Sequence, residues 1–171
     1  GTRVWPESNC YVDLCIELLH GRGLDPLAML GCCLGGESEG DQYTFVKPPL
    51  SELETLYGVN INELNVYRPL AEHVAVQVAR GHTVIVEVDS FVLPDTRGTA
   101  YRLEHVKTAI GIDEIDVPGE RIWYFHNAGR YSLGGDDYRV ALQVGVGPEL
   151  LPPYVELAKF RAEPLEGQRL V

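Results

Sequence analysis

The sequence predicts an α+β domain in which helices come first and an antiparallel sheet follows. Three observations carry this. Helix-forming stretches with capping residues fill the first part of the 171-residue chain. β-branched runs of strand length dominate from His82 onward. Strands and helices do not alternate as they would around a parallel sheet. A chain of this length reads as one domain over 1–171, helical over about 10–81 and sheet over about 82–160.

Tyr11–His20 (YVDLCIELLH) is rich in helix formers, and Gly21 and Gly23 supply a stop. Its polar residues Asp13, Glu17 and His20 recur at spacings of 4 and 3, which predicts one solvent-facing stripe. Asp25-Pro26 offers an N-cap and a proline at the first helical position of a short helix through Leu34, ended by Gly35-Gly36. Ser51-Glu52-Leu53-Glu54 has the form of a capping box ahead of a helix that Gly58 closes. Pro69–Arg80, with Gly81 beyond it, predicts a further helix. Strands are expected at His82–Asp89, His105–Asp113, Arg121–Asn127 and Tyr154–Phe160, the last alternating apolar and polar as a half-exposed strand does. Asp116-Val117-Pro118-Gly119 makes the turn between the second and third. The segment Asp95–Gly98 reads as a flexible loop suited to gating a cleft, and Tyr101 as a surface tyrosine.

Composition narrows function. With 25 acidic against 14 basic residues the formal charge is −11, which argues against nucleic acid or an anionic membrane surface as partner. No apolar run reaches the ~20 residues of a spanning helix, and no signal-peptide pattern opens the chain; the start at Gly1-Thr2 suggests a trimmed terminus. The four cysteines, Cys10, Cys15, Cys32 and Cys33, fall in no CxxC pair, and no His-x₃₋₅-His follows, so no metal site is expected. Free thiols in a reducing compartment, the cytoplasm, is the economical reading.

Cys10 immediately precedes the first helix, where the helix dipole and unpaired N–H groups favour the thiolate. Cys15, Cys32 and Cys33, inside helical patterns, read as core thiols. A nucleophilic cysteine needs a base. Of the five histidines, His20, His73 and His82 read as solvated or structural, whereas His105 opens a strand behind a polar loop. His126 and Asn127 end the next strand; His105 lies about 12 residues before the turn centre and Asn127 about 10 after, at the same end of the hairpin. Strand alternation lets only one of His126 and Asn127 address His105.

Cysteine at a helix start, histidine at a strand start and asparagine at the end of the next strand resembles the papain-like cysteine enzymes. VEVDSFVLPDT, EHVKTAIGID and WYFHNAG are similar to the N-terminal domain of butirosin-biosynthesis acyltransferases and to bacteriocin-processing-type peptidases. The stretches WPESNCYVDLCIELLHGRGLDP, EGDQYTFVK, LYGVNINELNVYRPL and DSFVLPDTRGTAYRLEHVKTAI are similar to the bacterial DUF1839 proteins. The resemblance implies a papain-like fold with Cys10 as nucleophile, His105 as general base and Asn127 as orienting residue, with His126 as a substitute. Where the relatives have Asp-Pro this chain has Asn127-Ala128, and Val4 stands in place of the papain-type oxyanion glutamine; Asn9 or Gln42 would donate instead. Asp89 corresponds to an acidic residue of the butirosin-type pattern, suited to a substrate amine or to capping a turn, and Glu87 would join it. The implied reaction is cofactor-free acyl transfer through a Cys10 thioester, from a carrier protein or small-molecule thioester to an amine. Water as acceptor would give a peptidase or amidase, and a degenerate member would be a non-catalytic binding domain. The −11 charge opposes an acidic carrier unless Arg97, Arg102, Lys107 and Arg130 form a basic patch.

Overall fold

The computed structural model describes residues 9–33, 40, 46–147 and 150–161. Helices α1 (Cys10–Gly21), α2 (Leu27–Cys32) and α3 (Leu50–Tyr57) precede strand β1 (Val59–Glu63) and helix α4 (Leu70–Val78). Then come β2 (Thr83–Asp89), β3 (Lys107–Asp116), β4 (Arg121–His126), β5 (Gly129–Gly134), α5 (Asp136–Ala141) and β6 (Val155–Phe160). The strands form one sheet in the order β1-β6-β2-β3-β4-β5, antiparallel at every junction. The fold is α+β.

Both sheet faces are covered. On one, Leu14 and Leu18 of α1 pack with Leu53 and Tyr57 of α3 over Ile85, Ala109 and Ala158. On the other, Val74 of α4 and Tyr138 and Leu142 of α5 pack with Val84, Val86, Ile110, Ile112 and Tyr124. A strand covered on both sides needs apolar residues at successive positions rather than alternate ones. This explains TVIVEVD in β2, and it corrects the half-exposed expectation for Tyr154–Phe160: β6 lies between β1 and β2, with Val155, Glu156, Leu157 and Ala158 all buried.

The helical and sheet parts are less segregated than expected. β1 falls inside the helical stretch and pairs with the last strand, and α5 falls inside the sheet stretch. β1 does carry the alternation Val59, Ile61 against Asn60, Asn62, but over five residues the signal is short. The expected stripe of α1 is also corrected. Only His20 is exposed, whereas Asp13 and Glu17 are as buried as their apolar neighbours. Amphipathic spacing cannot register a helix covered on every side.

Local capping differs in detail. Asp25 Oδ1 accepts from the Leu27 N–H at 3.0 Å. The capping box does not form, because α3 starts two residues earlier, at Leu50 behind Pro49, and no side chain caps it. Gly58, at φ 66°, ends that helix in the left-handed region open to glycine. In the Asp116–Gly119 turn, Asp116 Oδ1 accepts from the Gly119 N–H at 3.0 Å.

α1 is seated against β3 at Gly111. A Cβ there would lie 3.0 Å from Leu14 Cδ1 and 3.1 Å from Leu18 Cδ2. Gly111→Ala is expected to destabilise the fold by about 1–3 kcal/mol through overpacking, read as a shift in the urea midpoint at unchanged slope. On the opposite face, His73 is 1% exposed, and neither ring nitrogen has a hydrogen-bond partner among the described residues. Burial, and then the Arg68 charge, lower its pKa from the ordinary value, and burial likewise lowers that of His82. The unfolded chain therefore binds more protons, so stability falls as pH drops through the unfolded histidine pKa of about 6.5. Urea midpoints between pH 5 and 7.5 are expected to show this slope, and His73→Phe is expected to flatten it.

Candidate functional site

The site lies where β2, β3 and β6 run out from under the N-terminus of α1. Alternation puts Ile85 and Glu87 of β2, Lys107 and Ala109 of β3, and Glu156 of β6 on the face that α1 covers. Cys10 is the first residue of α1 and is half-buried. Asn9 caps the helix: its Oδ1 accepts from Tyr11 N at 3.1 Å and Val12 N at 2.9 Å, while its Nδ2 donates to the Val46 carbonyl at 2.9 Å. Asn9 is thus a helix cap through its oxygen, and one of the two Nδ2 hydrogens is engaged by Val46. The Cys10 N–H has no backbone acceptor among the described residues. Gln42 lies outside the described residues.

Cys10 opens onto a cavity of about 400 Å3 lined also by Tyr11, Lys47, Lys107, Tyr154 and Glu156. Glu156 is 4% exposed and fully engaged. Tyr11 Oη donates to one carboxylate oxygen at 2.6 Å and Tyr154 Oη to the other at 2.9 Å, with Lys47 Nζ 3.7 Å away. Lys47 Nζ also sits 4.2 Å from the centre of the Tyr11 ring and 5.5 Å from that of Tyr154, in cation–π range. Burial, followed by Glu156, pushes the Tyr154 phenol up to about 12; burial, followed by Cys15 and Glu156, pushes the Tyr11 phenol higher still, so both remain donors at neutral pH. None of Tyr11, Lys47, Tyr154 or Glu156 stood out in the sequence. Nothing local marks them, because 145 residues separate Tyr11 from its carboxylate partner.

His105 precedes β3 and lines a second cavity of about 410 Å3 with Asp89, Val92, Val140, Gln143 and Pro153. Its Nδ1 lies 2.5 Å from Asp89 Oδ2, and its ring stacks on Phe91 at 4.4 Å and 12°. Asp89 Oδ1 in turn accepts from the Phe91 N–H at 2.9 Å. Burial raises the Asp89 carboxyl, but the His105 contact and the backbone N–H groups outweigh it, and the net shift is downward. The partner of the imidazole is therefore Asp89, which corrects the assignment of Asn127. A bulge in β3 between Ile112 and Glu114 absorbs one residue of the hairpin. The pairing Gly111↔Phe125, carried two residues on, sets Asn127 level with Ala109. That is four residues from His105, roughly 13 Å along a strand. Asn127 itself occupies the β4–β5 turn at φ 46°.

His126 faces the other side of the sheet and is 2% exposed. Its Nδ1 lies 2.6 Å from Asp95 Oδ2 and its Nε2 2.9 Å from Thr108 Oγ1, while Tyr124 Oη donates to Asp95 Oδ1 at 2.5 Å. This corrects two expectations: His126 is a buried structural residue, and the Asp95–Gly98 segment is pinned rather than flexible.

The two cavities share the side chains of Glu87 and Lys107, which form an ion pair at 3.0 Å. Cys10 and His105 are thus neighbours across this pair but do not line a common cavity. Among the other cysteines, Cys15 is buried and its thiol is pushed up by burial; Cys32 and Cys33 are half-buried at the end of α2, where Cys33 packs against the core. Of the basic residues expected to form a patch, Lys107 lines both cavities and pairs with Glu87, Arg102 pairs with Asp137, and Arg130 pairs with Asp113 and Glu114. Tyr101, expected as a surface residue, is half-buried and donates to Asp137 at 3.0 Å. Among the described residues there is no cluster of three or more metal-ligating side chains, and no helix long and apolar enough to cross a membrane.

Residues 1–160 match the family model for the DUF1839 N-terminal domain. No curated protein matches the chain.

The Asp89–His105 contact generates a direct test. Because His105 offsets the burial of Asp89, His105→Ala is expected to raise the Asp89 titration point, followed through its side-chain carboxyl carbon by NMR. An unchanged midpoint would show that the contact does not hold the carboxylate.

Proposed function

The chain belongs to the DUF1839 family, and from that premise and the site geometry we propose that it performs cysteine-dependent acyl transfer with Cys10 as nucleophile. The observation that carries the reading is the placement of Cys10: first residue of a capped, buried helix, half-buried, and opening onto a cavity. In this reading the fold is papain-like, with the nucleophile at a helix start and the base at the entrance to β3.

The chemistry follows. The Cys10 thiolate attacks a thioester carbonyl, forming the enzyme C–S bond as the donor C–S bond breaks, and His105 returns the proton to the departing thiolate. Asp89 holds His105 by Nδ1 and fixes the orientation of its ring. An amine then attacks the acyl-enzyme and releases Cys10, giving its proton to His105. Water in place of the amine makes the same site a peptidase or amidase. Three of the four basic residues, Arg102, Lys107 and Arg130, already hold carboxylates, and the net charge is −11, which favours a small-molecule thioester over an acidic carrier protein as donor. The cytoplasm, where thiols stay reduced, is the matching compartment. A second reading, a non-catalytic binding domain, draws support from the separate cavities of Cys10 and His105.

Incubation with a panel of acyl and aminoacyl thioesters, followed by intact mass, is expected to give an adduct absent in Cys10→Ala. His105→Ala is expected to slow its formation by about 10²–10⁴-fold, and Asp89→Asn by less. Peptide cleavage without an adduct would favour the hydrolase, and neither outcome would leave the binding domain.

A further inference from the structure

The wall between the two cavities is an ion pair, and its setting differs from that of the other ion pair in the Cys10 cavity. Glu156 is buried, held by two tyrosine hydroxyls, and its lysine is fixed over aromatic rings. Glu87 and Lys107 are diagonal neighbours on β2 and β3, with side chains 30% and 75% exposed. An exposed pair of this kind contributes little to stability, so its members exchange partners readily. Lys47 and Lys107 balance Glu87 and Glu156, leaving the cavity formally neutral inside a chain of net charge −11. A free anion would be repelled by that overall charge. A single cation would satisfy Glu87 and strand Lys107. A ligand that carries an ammonium and a carboxylate on one carbon satisfies both groups at once and brings no net charge.

We propose that the Glu87–Lys107 pair is the recognition element for an α-amino acid, its ammonium received by Glu87 and its carboxylate by Lys107. The inference deepens the acyl-transfer reading and rests on it for one point: the bound amino acid is the amine acceptor, sitting where the Cys10 and His105 cavities meet, its ammonium losing one proton through Glu87 to solvent before the free amine attacks and gives its second to His105. Opening the pair around the ligand removes the wall that divides them. Ile85 and Ala109, apolar residues of the cavity beside Glu87 and Lys107, suit an aliphatic side chain.

The probes are L-leucine, isopentylamine and 4-methylpentanoate, which are the zwitterion and its two halves. Calorimetry on the Cys10→Ser protein measures binding without any acyl chemistry. L-leucine is expected to bind, with each half at least tenfold weaker and with at least tenfold loss in both Glu87→Gln and Lys107→Met. Circular dichroism and the urea midpoint establish that the variants are folded. Failure of L-leucine to bind, equal binding of either half, or unchanged affinity in both variants would overturn the proposal. Binding with the expected dependence but no Cys10 adduct from any thioester would sustain amino-acid recognition and refute acyl transfer. A Cys10 adduct without L-leucine binding would do the reverse.

Discussion

The close approach of α1 to β3 at Gly111 determines where everything else at this end of the molecule sits. Leu14 and Leu18 rest where a side chain would otherwise stand, so the helix lies low on the sheet and its first turn is held at a fixed height above Ile85, Ala109 and Glu156. Asn9 completes the constraint by closing the first turn and tying it to Val46. With the helix axis set by packing and its origin set by a cap, Cys10 has little freedom of position. The thiol, the two tyrosines and the buried glutamate are then registered against one another by the same contact.

Charge at the site is graded by depth. Glu156 is buried and its carboxylate is fully hydrogen-bonded, the condition under which a buried ion is tolerable. Glu87 and Lys107 are shallower and hold only each other among the described residues. Asp89 and His105 are about as exposed as that pair, their side chains 39% and 74% exposed, and Phe91 stacks on the imidazole beside their mutual contact. The inner groups suit a scaffold and the outer ones suit exchange with a ligand.

The sequence was informative wherever the cause was local. Glycine stops, β-branched runs and the Asp116–Gly119 turn carry their reasons within a few residues, and α1, α4, β2 and the β3–β4 hairpin follow from them. The prominence of Cys10 and His105 was legible for the same reason, as each begins an element or directly precedes one. What could not be read depends on distant chain. Burial of Asp13 and Glu17 needs knowledge of what covers α1, and Glu156 is buried because β6 inserts between β1 and β2. The Asn127 assignment failed because counting from the turn shows only that both residues lie at one end of the hairpin, whereas the pairing sets Asn127 level with Ala109, four residues from His105. Asp89 was singled out for a substrate amine or for capping a turn, and it does cap the turn at Phe91; its contact with His105 was not foreseen, because that distance is fixed by β2–β3 pairing rather than by spacing along the chain.

The excursion between β2 and β3 is tied down twice. At its base Asp89 pairs with Lys107, and the Ser90 N–H donates to the Val106 carbonyl at 2.9 Å. Farther out, Asp95 is gripped by His126 and Tyr124, and Tyr101 and Arg102 hold Asp137. Glu104 and His105 form the exposed span between these anchors. Any swing that carries the imidazole toward the thiol must therefore be made by that span alone, as a short hinge on an otherwise braced arm. Its reach is measured in a few bond rotations, and the histidine travels without dragging the rest of the arm along.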